Sequence, residues 1–351
     1  MPIIFSRVGF YPTIYESVGQ NPRRLSLKNM RNDAKNYGTK EPFGRLDVDA
    51  QLHEKLLRYC RLGIGDIWED SESGHRIGVL DATNTKHLES ITRGDKPSLV
   101  INDPPYNVRV GNANTRSLSK QNLSDYMNFS KCWVKNCIEV MNDDAHFYIW
   151  LGADVCDNFQ PLPDFMIMMR EISGLVPRNF ITLRNQRGYG TQRNWMWVRQ
   201  ELLHYVKGNP DFTVVYTDIP KILRGYYKDI NGKRTENLER GKSENIRPGN
   251  VWVDIQQVFY RMEENVPGCY AQKPLKAIER LVSSSSKEGD IVLDCFAHSG
   301  TTLIAGEKLK RRILIFDIDP VFAEITIRRL ENYRKTERTG WQYNNPFPEL
   351  T

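Results

Sequence analysis

The sequence predicts an α/β protein built on a doubly wound, mostly parallel sheet. From about residue 76 onward, short apolar runs alternate with longer amphipathic stretches, the pattern of strands and crossover helices in a parallel sheet. Two of those runs, Ser98–Asn102 and Ile291–Asp294, end directly on compact turns rich in Asp, Pro, Ser, Gly and Thr, the place where open α/β sheets bind ligands. A third run, Ile313–Asp317, ends on an acid about nineteen residues past the second turn, a spacing that suits a ribose-binding carboxylate.

The 351 residues, 40% hydrophobic and 11% aromatic, suffice for one large domain plus an insert. No apolar run approaches the roughly 20 residues of a membrane span, and the start (MPIIFSRVGFYP) lacks a secretory pattern, so a cytoplasmic chain without membrane contact is expected. The cysteines at 60, 132, 137, 156, 269 and 295 are scattered and form no metal-ligating pairs with His; they read as reduced thiols, and no metal is expected.

A net charge of +6 suits a polyanionic partner, but position is more informative than the total. Between Arg178 and Arg199 stand five arginines (178, 184, 187, 193, 199) and no acid, interleaved with Phe180, Tyr189, Trp195 and Trp197. Guanidinium groups for phosphates and rings for stacking are what a nucleic-acid surface needs. A solvated edge strand is the plainer alternative.

Along the chain, residues 1–75 read as an N-terminal extension, basic at first, with a helix around Ala50 to Leu62. The strands expected in the body are Arg76–Leu80, Ser98–Asn102, Ala145–Leu151, Phe180–Leu183, Glu201–Val206, Ile291–Asp294 and Ile313–Asp317. Helices are expected over Leu123–Met141, from its three-and-four apolar spacing, and over Pro274–Ser284, which opens on a proline. The alternation breaks over 209–267, where Lys221–Arg247 holds eight basic residues against four acidic ones. This reads as an inserted basic subdomain, ordered at least over Val251–Tyr260. The expected organisation is thus an extension (1–75), one half of the body (76–208), the insert (209–267), the second half (268–335) and a tail (336–351).

Two motifs carry chemistry. Asp103-Pro104-Pro105-Tyr106 follows the strand SLVIN. Two prolines fix a rigid turn that can aim the Asp103 carboxylate and the Pro104 carbonyl at one amino group, with Tyr106 as a stacking face. An amine on an aromatic ring is a poor nucleophile because its lone pair is delocalised. Acceptors on its hydrogens favour the pyramidal form that attacks, a stabilisation aimed at the transition state. The second motif, Asp294-Cys295-Phe296-Ala297-His298-Ser299-Gly300-Thr301-Thr302, ends the strand IVLD and opens a helix, where backbone N–H groups and the helix N-terminus favour an anionic group.

Together these motifs resemble the amino-methyltransferases of DNA, specifically the β class, in which the catalytic motif precedes the S-adenosylmethionine (SAM) motif. Here DPPY at 103 comes about 190 residues before FAHSGT at 296, and the resemblance covers roughly residues 76–332. Further matches are Leu80-Asp81, Ala271-Gln272-Lys273-Pro274 and Arg199-Gln200-Glu201-Leu202-Leu203. The resemblance implies a SAM-dependent methyltransferase fold with an inserted target-recognition segment. It assigns Asp103, Pro104 and Tyr106, with Pro105 in the same turn, to the target base. It assigns Asp294, Phe296, Ser299 and Thr301 to the methionine end of SAM with Lys273, and with His298 and Gly300 in the turn. Asp317 would hold the ribose and Asp81 the adenine. His298 departs from the family, which has Gly there.

DPPY is commonest among adenine-N6 enzymes, so the resemblance favours adenine over cytosine N4. Expected partners are double-stranded DNA, and as candidates a cognate restriction endonuclease and a second copy of the chain. DNA contacts are expected from Arg184, Arg187, Arg193, Lys221, Arg224, Lys228, Lys233 and Arg234. A nicotinamide-dependent oxidoreductase is disfavoured because G-x-G-x-x-G is missing. A non-catalytic DNA-binding protein on a decayed fold is disfavoured by the intact Asp103 and Tyr106, and methylation of RNA or of a protein amide is a third alternative; the basic segments favour duplex DNA, where a base must be extruded before reaction.

Overall fold

The computed structural model describes residues 43–47, 49–106, 122–152, 160–189, 195–220, 227–236, 243–258 and 261–350. Within them a nine-stranded sheet runs in the order β1-β2-β11-β10-β3-β4-β6-β5-β9. Its strands are β1 (Ile67–Glu69), β2 (Arg76–Val79), β3 (Leu99–Asn102), β4 (Ala145–Leu151), β5 (Val176–Tyr189), β6 (Trp197–Lys207), β9 (Val251–Trp252), β10 (Ile291–Asp294) and β11 (Arg312–Asp317). Only β1 and β6 run antiparallel to their neighbours. The helices are α1 (Ala50–Leu57), α2 (Thr85–Thr92), α3 (Leu123–Val140), α4 (Pro161–Arg170), α5 (Leu275–Ser285), α6 (Thr301–Lys308) and α7 (Pro320–Thr336).

Both faces of the sheet are covered, which explains why β2, β3 and β4 are buried along their whole length. One face packs Ile77, Leu99, Trp150 and Leu202 against α5, α6 and α7; the other packs Val100, Phe147 and Leu314 against α2, α3 and α4. The decisive pairing is β10 beside β3, with Val292 opposite Leu99 and Leu293 opposite Val100. It sets the carboxyl ends of the two motif strands side by side. Asn102 ties them by accepting the Cys295 N–H at 2.9 Å.

Four expected boundaries differ. Residues 43–75, assigned to an extension, belong to the body: Leu46 and Leu56 are buried with Val321, Ile325 and Phe347, and β1 adds a strand beside β2. The helix from Ala50 closes at Leu57 rather than Leu62, before the turns around Gly63 and Gly65. Part of the tail is core as well, with Phe347 wholly buried. In the insert, Val251–Trp252 pairs with β5 as the sheet edge, and Trp252 and Ile255 join the core. Apolar residues in stretches without periodicity gave no sign of this, because their burial depends on distant partners.

The remainder of the insert contains a separate hairpin of β7 (Tyr227–Ile230) and β8 (Lys233–Glu236). Asn231 and Gly232 turn it with φ of 52° and 72°, the positive pair that a two-residue hairpin turn requires. No helix among the described residues is long and apolar enough to cross a membrane.

Candidate active site

Asp103 leaves the end of β3 and is fixed at both oxygens. Tyr106 Oη donates to Oδ1 at 2.7 Å, and Lys273 Nζ lies 2.5 Å from Oδ2. Lys273 is buried, and its ammonium sits 5.2 Å and 5.5 Å from the ring centroids of Tyr106 and Trp150. The Pro-Pro turn is held from behind, Tyr126 Oη donating to the Pro105 carbonyl at 2.8 Å; Pro104 is buried. Lys273, expected at the methionine end of the cofactor, pairs with the catalytic carboxylate and thus joins the two motifs.

The second motif wraps the end of β10. Asp294 is buried; it accepts from Thr302 Oγ1 at 2.6 Å and from the Phe296 N–H at 2.9 Å. Burial raises its carboxyl to about 7 against those two donors, and the Asp103 charge adds to the rise. Asp317, at the end of β11, accepts the His298 N–H at 2.9 Å and the Asp319 N–H at 3.1 Å. Its carboxyl too is raised to about 7, by burial first and then by Asp319. Neither acid has an ion-pair partner among the described residues.

His298 has a φ of 44°, the left-handed region that favours Gly, which is the physical sense of the expected Gly there. Its ring lies 4.9 Å from that of Phe322, and burial lowers its pKa to about 4, so it is a neutral wall of the turn. At Gly300 the φ of 71° strains any side chain, and a Cβ would press on the Thr326 side chain at 3.0 Å, so the position favours glycine.

A cleft is lined by Asp103, Trp150, Lys273, Asp294, Phe296, His298, Ser299 and Thr301 among others. Of its two acids Asp103 is paired with Lys273, and the uncompensated Asp294 suits a ligand carrying positive charge; Asp317 holds the His298 N–H of the same turn and does not line the cleft. Asp81 lies at the end of β2, where the Leu80 N–H donates to the Asp317 carbonyl; its carboxylate accepts from Thr83 at N and Oγ1 and does not line the cleft.

Four residues belong to the site without a role assigned from the sequence. Trp150 lies in the apolar run of β4 and reads as core. Thr302 closes the quoted motif and carries no assigned role there. Arg329 lies in a basic helix resembling a solvated face, yet it is wholly buried. It donates to the Ser299 carbonyl at 2.7 Å, Thr301 Oγ1 at 3.0 Å, the Thr339 carbonyl at 2.7 Å and the Glu264 carbonyl at 3.3 Å. Glu264 comes from the insert and accepts the Leu275 N–H at 2.6 Å.

Beyond the last β4 pair, Leu151 with Glu201, the hairpin of β5 and β6 continues past the carboxyl edge of the sheet. Arg184 and Arg199 oppose one another there, and the buried Glu201 carboxylate pairs with Arg199 and relieves the like-charge contact. Trp195 and Met196 beside them are 89% and 64% exposed. Of the other expected DNA contacts, Arg193, Lys221 and Arg224 lie outside the described residues, as does the side chain of Arg187. For Lys228, Lys233 and Arg234 the structure describes the backbone of β7 and β8.

Residues 98–328 match an N6/N4-methyltransferase family model described as DNA methylase. The type II methyltransferase M.HpaI of Haemophilus parainfluenzae is 29% identical over 67% of this chain and 68% of its own. The DNA adenine methyltransferase YhdJ of Escherichia coli (strain K12) is 25% identical over 66% of this chain and 76% of its own. In fold, the chain is similar to the PvuII DNA methyltransferase (cytosine-N4-specific), with a TM-score of 0.54 and 15% identity over 76% of this chain and 89% of that one.

Proposed function

The chain belongs to the DNA methylase family of N6/N4 amino-methyltransferases, in the β class, and on that premise we propose that it methylates N6 of a flipped adenine at a specific site in duplex DNA. Its cofactor is S-adenosylmethionine, which supplies an electrophilic methyl group on a sulfonium cation. The observation that carries the proposal is the contact of Lys273 with Asp103, set beside a cleft lined by the buried Asp294 carboxyl, which has no ion-pair partner among the described residues.

In this reading Asp294, Phe296, His298, Ser299, Gly300 and Thr301 form the pocket for the methionine end, and Asp317 takes the ribose hydroxyls. Asp81 serves the adenine only if the carboxylate oxygen turned from Thr83 reaches it. Lys273 and Tyr106 hold the two Asp103 oxygens and fix the plane of its carboxylate. Asp103 and the Pro104 carbonyl accept the two hydrogens of the target amine and localise its lone pair for in-line attack. As the nitrogen gains its new bond, Asp103 is placed to take the proton that it sheds. DPPY and the adenine-specific relative support adenine. We assign the outer part of the β5–β6 hairpin, with the exposed Trp195 and Met196, and the basic insert to DNA, and a restriction endonuclease and a homodimer stay candidate partners.

The test is direct: labelled SAM and duplex DNA should yield N6-methyladenine, unaffected by a chelator. Label confined to cytosine N4 would overturn the adenine assignment and leave the family standing.

A pH dependence follows from the two acids. Their folded pKa values lie above the unfolded ones, so the stability of the free protein is fully present below the ordinary carboxylate range and falls as pH rises through about 7. A cationic ligand favours the ionised forms, so SAM affinity should increase as pH rises. Each acid should contribute a factor of nearly ten between about pH 6 and about pH 8. Calorimetry on the wild type and on Asp294→Asn checks it: the variant should show the shallower slope, and equal slopes would refute the role of Asp294.

A further inference from the structure

We propose that Trp195 enters the target duplex and stacks in the gap that the extruded base leaves, so that it promotes extrusion rather than chemistry. The inference rests on the proposed function and gives its DNA face an acting residue. Trp133 and Trp150 are wholly buried and Trp252 is 4% exposed, whereas Trp195 is 89% exposed and its neighbour Met196 64%. An indole left in water forgoes the burial to which large aromatic side chains contribute most, and exposed apolar surface of this kind marks where a partner binds.

Its place in the fold selects the partner. The β5–β6 hairpin leaves the sheet at the carboxyl edge, where Asp103 also stands. Leu151 at the end of β4 opposes Glu201, and Trp195 lies six residues further out, two beyond the pairing of Trp197 with Tyr189. Six residues of extended chain span about 20 Å at most. Gly152, one residue past Leu151, packs against the ring of Tyr106, whose hydroxyl donates to Asp103. Trp195 therefore stays within about one helical turn of DNA, roughly 34 Å, of the catalytic carboxylate. Charge complements the same partner. From Arg178 to Arg199 the chain carries five arginines and no acid, and Arg184 and Arg199 are both exposed. Guanidinium groups hold phosphates while the indole face holds bases.

Swinging one base out of a duplex strips its neighbours of a stacking partner, and an apolar side chain set between them replaces it. A phosphate contact helps every duplex equally. A side chain that fills the gap helps most where the base must be drawn from an intact pair.

The experiment compares two duplexes that carry the site the wild type methylates, one with thymine opposite the target adenine and one with an abasic position there. With Trp195→Ala, single-turnover methylation of the paired duplex should fall about tenfold or more, the scale of one lost base–aromatic stack. On the abasic duplex, where no pair has to be broken, the loss should shrink to within about twofold. With 2-aminopurine at the target position, wild-type binding should raise the fluorescence, and Trp195→Ala should abolish most of that rise. Trp195→Phe, which keeps a stacking ring, should retain most of the activity on both duplexes. SAM affinity and the thermal unfolding temperature should match the wild type in both variants, because the side chain is exposed. An equal loss on the two duplexes would make Trp195 a general binding contact and overturn the inference. No loss on either would also overturn it, leaving the ring to a protein partner or a second copy of the chain. A wild type that transfers no methyl to duplex DNA would instead overturn the proposed function, and this inference with it.

Discussion

Asp103→Asn is expected to lower methyl transfer by about three orders of magnitude or more, the scale on which one preorganised electrostatic contact acts. SAM binding should stay within about tenfold, equivalent to roughly 1.4 kcal/mol. The substitution keeps shape while removing charge. An amide next to Lys273 turns its oxygen toward the ammonium and its NH2 toward Tyr106, which presents a donor where the target amine needs an acceptor. Alanine is the poorer probe, because it would strand the buried Lys273 without a counter-ion. Asp317→Asn should give the opposite pattern: the ribose would lose a charged acceptor worth about 1.5–3 kcal/mol, so affinity for SAM drops first. Single-turnover rates and calorimetry separate the two, and a reversed pattern would show the roles misassigned.

Arg329→Met should destabilise the fold by about 3–5 kcal/mol, the cost of breaking a buried charged network at one partner. The methionine fills similar volume, so the loss comes from polar groups. The carbonyls of Ser299, Thr339 and Glu264 and the Thr301 hydroxyl would lose their donor in the interior. Burial lowers this guanidinium to about 10, well above neutral pH, so it remains charged. Because two of its contacts hold the turn around Gly300, SAM affinity should fall along with stability. Urea unfolding measures the first effect; a loss under about 1 kcal/mol would show that the network re-forms through water.

Several features were legible in the chain because they are local. Periodicity marked β4 within its true bounds, and the other expected strands lie wholly or nearly within observed ones. DPPY and DCFAHSGTT marked themselves because a rigid turn and a small-residue turn need those residue types in that order. Even the His298 anomaly was visible, as a non-glycine in a place of positive φ.

Other features depend on contacts between residues far apart in sequence, and no local pattern encodes them. Parallel pairing of β10 with β3 brings motifs about 190 residues apart onto neighbouring strands and lets Lys273 reach Asp103. Arg329 looks solvated until α7 packs behind the turn, and Trp150 reads as plain core until Lys273 comes over its ring. The sequence by itself determined which groups can do chemistry and which strands carry them, because turn geometry and side-chain alternation are short-range. Only the tertiary structure decided which groups meet, which are left buried without partners, and which acids are pushed up toward neutrality, because pairing and desolvation are set by the packing of the whole sheet.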